Sequence, residues 1–150
     1  NMEDRLRALP LVADNFRVAR SVLPKVNRSI KDRQGLFEKS GGTHAVGLFD
    51  SQGEVAFFAE DIGRHNALDK AIGKCLLAGE KPGGFAAGLS GRVSLEMVAK
   101  CARAGIELVS AVSAPTSLAL EAAERCGMTV LAFVRETRAT VFTRPHRIVV

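Results

Sequence analysis

The stretch that decides the fold is FAAGLSGRVSLEMVAKCARAGIELVSAVSAPTSLALEAAERCGMTVLAFV, residues 85–134. Three short apolar runs, Phe85–Leu89, Ile106–Val112 and Met128–Val134, alternate with two segments of helical spacing. In the first segment Ser94 is a cap, Met97, Val98, Cys101 and Ala102 form the apolar stripe, and Gly105 ends the helix. The second is capped by Thr116 or Ser117, runs to Cys126 and stops at Gly127. Strand–helix–strand–helix–strand in so few residues dictates right-handed crossovers and parallel pairing.

Outward from this centre, Thr43–Phe49 and Glu54–Phe58 flank Asp50-Ser51-Gln52-Gly53 and read as a β-hairpin. Asn66 is a candidate N-cap for a helix with Leu68, Ala71, Ile72, Cys75 and Leu76 on its stripe and Gly79 at its close. Ala139–Thr143 and Arg147–Val150 supply strands at the other end. Leu23, Val26, Ile30, Gln34 and Phe37 follow helical spacing after Pro24, with Gly41-Gly42 as the stop. Residues 1–13 are weakly patterned and read as a flexible lead-in. The expected fold is α/β: a three-layer mixed sheet with helices on both faces. The chain divides into 1–33, a lead-in with the start of the first helix, and 34–150, the α/β domain.

The chain has 150 residues, 47% hydrophobic and 25% charged, values of one globular domain. A chain this long buries about 68–70% of its unfolded surface, so it folds without staples. Three cysteines cannot all pair, and Cys75, Cys101 and Cys126 have no zinc or redox spacing. A reducing compartment, the cytoplasm, is expected. No apolar run reaches the ~20 residues of a membrane span. The Asn1-Met2 start reads as a tag remnant ahead of part of a longer protein.

The net charge is +5, with 14 Arg against 7 Lys. Residues 1–33 carry eight basic and four acidic side chains, and 134–150 four and one. There is no Trp, no Tyr and no basic run, so a nucleic-acid partner is not expected. Arg-rich recognition of a discrete oxyanion fits better.

Four polar clusters follow predicted strand ends: Glu60–Asn66, Ser90–Ser94, Ser113–Ser117 and Phe133–Arg138. Turns that leave parallel strands collect along one edge of an open sheet, where ligands bind. A favourable helix N-terminus contributes about 0.3–1 kcal/mol to anion binding. A charged hydrogen bond from Arg adds roughly 1.5–3 kcal/mol. Arg64, Arg92 and Arg135 therefore outweigh the helix dipoles as phosphate holders, and Arg138, in the last cluster, is a further candidate. Thr43, His44, His65, Asn66, Ser90, Gly91, Ser113 and Thr116 are candidates for the pocket lining, and Asp61, with Asp69 as the alternative, is a carboxylate suited to adjacent N–H donors of a ligand. His44 and His65 with Asp61 or Glu60 lack metal-ligand spacing, so no metal is assigned.

These clusters, in this order, resemble the formate dehydrogenase accessory sulfurtransferase family, FdhD. The matching stretches are Gly41–His44, Glu60–Lys70, Ser90–Val98, Ser113–Ala119 and the run from Arg138 to Arg147. The resemblance implies a cytidine deaminase-like fold and a homodimer. It implies a sulfur carrier that takes sulfur from a cysteine desulfurase to the bis-guanine-dinucleotide molybdenum cofactor, Mo-bis(molybdopterin guanine dinucleotide), for formate dehydrogenase. GDP would mimic one arm of that cofactor, and Asp61, or else Asp69, would read its guanine N–H edge. The segment matching Phe133, Val134, Arg135, Glu136, Thr137 and Arg138 is the family's cofactor-binding loop.

The family carries its persulfide on a Cys-x-x-Cys loop that these 150 residues lack. A C-terminal fragment is therefore expected, and no catalytic residue is assigned. The zinc deaminase signature is missing too: His65-Asn66-Ala67 lacks the acidic residue, and Pro115-Thr116-Ser117-Leu118 lacks the thiolates. Two other functions fit the residues. One is a nucleoside- or nucleotide-modifying hydrolase using His65 with Asp61 as an acid/base pair. The other is a non-catalytic assembly module docking through the basic ends.

Overall fold

In a computed structural model describing residues 1–34 and 42–150, the elements from Leu23 onward follow the predicted order, and a helix and a short strand precede them. They are α1 (Met2–Arg7), β1 (Val18–Ala19), α2 (Leu23–Gln34), β2 (His44–Phe49), β3 (Val55–Asp61), α3 (Arg64–Leu77) and β4 (Ala86–Leu89). Then come α4 (Leu95–Ala104), β5 (Leu108–Ala111), α5 (Ser117–Cys126), β6 (Thr129–Ala132), β7 (Thr140–Thr143) and β8 (Ile148–Val149). The predicted place of Phe37 on a helical stripe and of Gly41 at its stop lies outside the described residues.

Six strands form one mixed sheet in the order β3-β2-β4-β5-β6-β7. Pairing is parallel for β4–β5–β6 and antiparallel for β3–β2, β2–β4 and β6–β7. It follows that β3, β4, β5 and β6 all point one way, and their C-terminal ends share one edge. β2 runs against them, so its first residues reach that same edge.

Alternation along the strands sorts the core into two layers. Val46, Leu48, Ala87, Val109 and Val130 pack with α3, α4 and α5. Ala45, Phe49, Ala86, Leu108 and Leu131 face the other way and pack with Val26 and Ile30 of α2. Each buried aliphatic side chain contributes about 1.5–3 kcal/mol. Gly88 lets α2 approach closely: a Cβ there would stand 2.7 Å from Ile30 Cδ1. The three-layer α/β architecture is thus the one the patterning predicts.

Helix boundaries follow the caps. Ser94 Oγ accepts the Met97 N–H, Thr116 Oγ1 accepts the Ala119 N–H, and Gly105 and Gly127 end their helices in the left-handed conformation. At α3 the expectation needs correction. Extended Gly63 is the N-cap and Asn66 lies inside the first turn. The cause is Asp61, whose Oδ2 accepts the Gly63 N–H at 2.9 Å and the Asn66 side-chain amide at 3.3 Å.

The start of the chain is packed, not loose. Leu6 of α1 is buried in the layer that holds α5, and the Val12 N–H donates to Cys126 O at 2.9 Å. A buried ion pair holds the next residues. Arg147 Nε donates to Glu107 Oε1 at 3.1 Å, and both side chains are 2% exposed. The same carboxylate oxygen accepts the Asn15 and Phe16 N–H groups. The guanidinium also donates to Ala13 O, Gly127 O and Thr129 Oγ1. Parallel pairing of β1 with β8 completes this clamp. Among the described residues, no helix is long and apolar enough to cross a membrane.

Candidate functional site

The turns leaving β4, β5 and β6 are held side by side beyond the strand ends. Val112 N–H donates to Leu89 O, Val93 N–H to Ala114 O, Thr116 N–H to Val93 O and Val134 N–H to Ala111 O. Ser90 is fixed across to β2: its N–H donates to Ala45 O at 3.0 Å and its Oγ accepts the Ala45 N–H at 2.8 Å. Gly91 is required by its neighbour, because a Cβ there would lie 2.9 Å from His44 Nδ1. After β6 the chain turns at Phe133, whose φ of 54° is left-handed. Such a conformation costs a non-glycine residue of order 1–3 kcal/mol. It sets Phe133 against Phe142, with ring centroids 6.2 Å apart, and sends Val134–Glu136 along the edge of the sheet.

These turns and α2 enclose a cleft of about 900 Å³. Of the residues singled out from sequence, Thr43, His44, Arg64, Ser90, Gly91, Arg92, Ser113, Val134, Arg135 and Glu136 line it. Thr137 and Arg138 line an adjoining depression of about 570 Å³, which shares Pro24, Val134, Arg135 and Glu136 with the cleft. Asp61, His65, Asn66, Thr116 and Phe133 line neither. The remaining wall comes from α2, through Asn27, Arg28, Lys31 and Gln34. Sequence reading missed that wall. Its signal was the polar stripe Asn27, Lys31 and Gln34 at helical spacing, in which two of three members are uncharged amides.

Five cationic side chains, Arg28, Lys31, Arg64, Arg92 and Arg135, line the cleft against a single carboxylate, Glu136, among the described residues. They differ in commitment. Arg28 pairs with Glu136, Nη1 to Oε2 at 2.6 Å. Asn27 Nδ2 donates to Val134 O, tying α2 to the same loop. Arg135 donates to Val112 O and Val134 O. Arg64 Nε is buried without a hydrogen-bond partner. A donor left bare in this way costs about 1–3 kcal/mol unless a ligand acceptor meets it. This positive, donor-rich hollow can hold phosphate oxygens.

Asp61 serves the fold. Lys70 Nζ donates to its Oδ1 at 2.6 Å, while Gly63 and Asn66 occupy Oδ2. The Lys70 ammonium first, and the Gly63 N–H next, pull its pKa down to about 2. This carboxylate lies outside the cleft's lining, and its lowered pKa makes it a poor base partner for His65. Among the described residues, no group of three or more His, Cys, Asp or Glu side chains is arranged to hold a metal ion. The three cysteines are free and buried. Burial pushes the Cys101 thiol up to about 12 and raises Cys75 and Cys126 as well. None is a thiolate nucleophile where it stands.

The chain is 40% identical over 144 residues to a sulfur carrier protein FdhD of Saccharolobus solfataricus, covering 95% of this chain and 56% of that protein. It is 44% identical over 143 residues to the sulfur carrier protein FdhD of Bordetella bronchiseptica, covering 95% of this chain and 52% of that one. The chain thus spans about half the length of the curated relatives it matches. A crystal structure described as a formate dehydrogenase accessory protein from Desulfotalea psychrophila superposes with a TM-score of 0.88 at 33% identity, over 98% of this chain and 62% of that one. A pyrimidine deaminase/uracil reductase of Thermotoga maritima superposes with a TM-score of 0.57 at 16% identity, over 75% of this chain and 38% of that one, which shows the deaminase-like fold alone. The model of the FdhD/NarQ family matches residues 1–149. With fold and sequence in agreement, the chain belongs to the FdhD/NarQ family.

Proposed function

We propose that the cleft binds a guanine-dinucleotide arm of the bis-guanine-dinucleotide molybdenum cofactor as cargo, in support of its sulfuration for formate dehydrogenase. The observation that carries this reading is the convergence of Arg28, Lys31, Arg64, Arg92 and Arg135 on one hollow, with Arg64 Nε left without a protein acceptor. A cleft of about 900 Å³ has room for a nucleotide, and its uncharged lining (Asn27, Gln34, Thr43, Ser90, Ser113) can meet sugar hydroxyls. The names of the relatives support sulfur carriage by the whole protein. This chain's own thiols are buried and of high pKa, so its share of the task is to hold the cofactor, not to carry the persulfide. A cysteine desulfurase would supply the sulfur, formate dehydrogenase would receive the product, and two copies would work as a homodimer in the cytoplasm.

The hydrolase reading finds less support, because Asp61 and His65 lie outside the cleft and Asp61 is spent on Lys70. Calorimetry with GDP tests the proposal. Saturable binding is expected, weakened at least tenfold in Arg92→Ala, since Arg92 makes no hydrogen bond or ion pair among the described residues and is free for the ligand. A folded sample that binds no GDP, or an Arg92→Ala variant with unchanged affinity, would overturn it.

A further inference from the structure

We infer that Glu136 is the group that selects guanine, reading its Watson–Crick edge through the carboxylate. The inference rests on the nucleotide reading of the cleft and assigns the base-recognising residue within it. Glu136 is the one carboxylate that lines the cleft, or the depression beside it, among the described residues. A site built only for phosphates gains nothing from such a group, since a negative charge opposes the ligand. A carboxylate in a cationic cleft makes sense where the ligand brings hydrogen-bond donors.

Guanine carries two adjacent donors, the N1–H and the exocyclic N2 amine. Two carboxylate oxygens match them side by side, and an ionised carboxylate accepts without offering a competing donor. Adenine presents a lone pair at N1 on the same edge, which would face an anionic oxygen. Hypoxanthine keeps the N1–H and loses the amine. One group therefore ranks three bases, guanine before hypoxanthine before adenine.

The local structure prepares Glu136 for this. Arg28 Nη1 meets Oε2 at 2.6 Å from the α2 wall, which draws the carboxylate toward the cleft's helical side. Oε1 has no protein donor among the described residues, and an ionised carboxylate offers about four lone-pair sites for its partners. The backbone beneath is closed as a tight turn by Arg135 N–H donating to Arg138 O at 2.7 Å. Asp61, the carboxylate that sequence pointed to for this task, is occupied by Lys70, Gly63 and Asn66 outside the cleft.

The test is calorimetry of the 150-residue chain with GDP, IDP and ADP, on wild type and on Glu136→Gln. Glutamine keeps an oxygen for Arg28 but sets an amide N–H against guanine's donors. Wild type is expected to prefer GDP to ADP at least tenfold, with IDP between them. Glu136→Gln should lose at least tenfold in GDP affinity, keep its ADP affinity within about twofold, and keep its melting temperature. Equal binding of GDP and ADP by wild type would overturn the inference, as would a preference that survives in Glu136→Gln. Equal weakening of both nucleotides in the variant would also overturn it, reducing Glu136 to a support for Arg28. If wild type binds none of the three, the nucleotide reading falls, and the inference with it.

Discussion

Arg147 and Arg92 stand at opposite ends of the same parallel strands, and the protein treats them in opposite ways. Arg147 lies where β5 and β6 begin. It is 2% exposed, and it donates to Glu107, Ala13, Gly127 and Thr129. Arg92 lies where β4 has ended, in a turn lining the cleft, and makes no hydrogen bond or ion pair among the described residues. A guanidinium whose three nitrogens all donate internally holds a fold together. One left with unspent donors, in a hollow shared with four other cations, is open to a ligand. The contrast lies in who accepts the hydrogen bonds, not in residue type.

The largest effect should come from breaking the clamp. Arg147→Ala leaves Glu107 buried without its counter-charge, which typically costs about 3–5 kcal/mol. At this chain length that is a fall in melting temperature on the order of 10 °C. GDP affinity measured well below the melting point should stay within about twofold of wild type. The pair Arg147→Met with Glu107→Leu removes the bare charge but leaves the Asn15 and Phe16 N–H groups without their acceptor, so it should recover only part of the loss. A single variant that melts like wild type would break the distinction.

Next in size is the reverse experiment at Arg64. Its buried Nε lacks an acceptor in the protein, so Arg64→Ala should cost roughly tenfold or more in GDP affinity. Its melting temperature should hold or rise slightly, since an unsatisfied donor is removed. Thermal melts and calorimetry on one preparation read both quantities. A destabilised Arg64→Ala with unchanged GDP affinity would move Arg64 into the same class as Arg147.

Asp61 sharpens the comparison, since it stands at the cleft's edge of the sheet yet behaves like part of the clamp. Its pKa is lowered to about 2, chiefly by Lys70. A depressed carboxylate stabilises the fold fully above the unfolded value near 3.9 and loses that contribution as pH falls toward 2. Lys70→Met should move its titration upward, seen in the carboxyl carbon resonance, and shrink the part of the stability that is lost between about pH 4 and pH 2. GDP affinity at pH 7 should not change. A drop in affinity in Lys70→Met would place Asp61 among the ligand's neighbours after all.

What the sequence made legible follows from range. Ser94, Thr116, Gly105 and Gly127 announce helix ends because caps act over three or four residues. The shared edge for Arg64, Arg92 and Arg135 was readable because parallel strands must deliver their turns to one side. The α2 wall was not. Asn27, Arg28, Lys31 and Gln34 look like an ordinary solvated helix face, and only the packing of Ile30 against Gly88 turns them toward the cleft. The engagement of Asp61 was hidden for a similar reason, as the partners that hold it sit two, five and nine residues on. The clamp joins residues 13–16 to 107 and 147, separations that no local pattern encodes.

The smallest expected effect is no effect, and it bears on the same distinction through sulfur. Cys75, Cys101 and Cys126 are buried on the helical side of the sheet, and burial lifts Cys101 to about 12. Sulfur transfer requires a thiolate that a donor can reach. The folded chain treated with a small persulfide donor at pH 8 should therefore gain no sulfur by intact mass spectrometry, while the same chain in denaturant reacts at all three thiols. One sulfur added to the native chain and localised to Cys126, the thiol beside the clamp, would show that the helical layer opens. The end of the molecule assigned here to stability would then have a share in the chemistry.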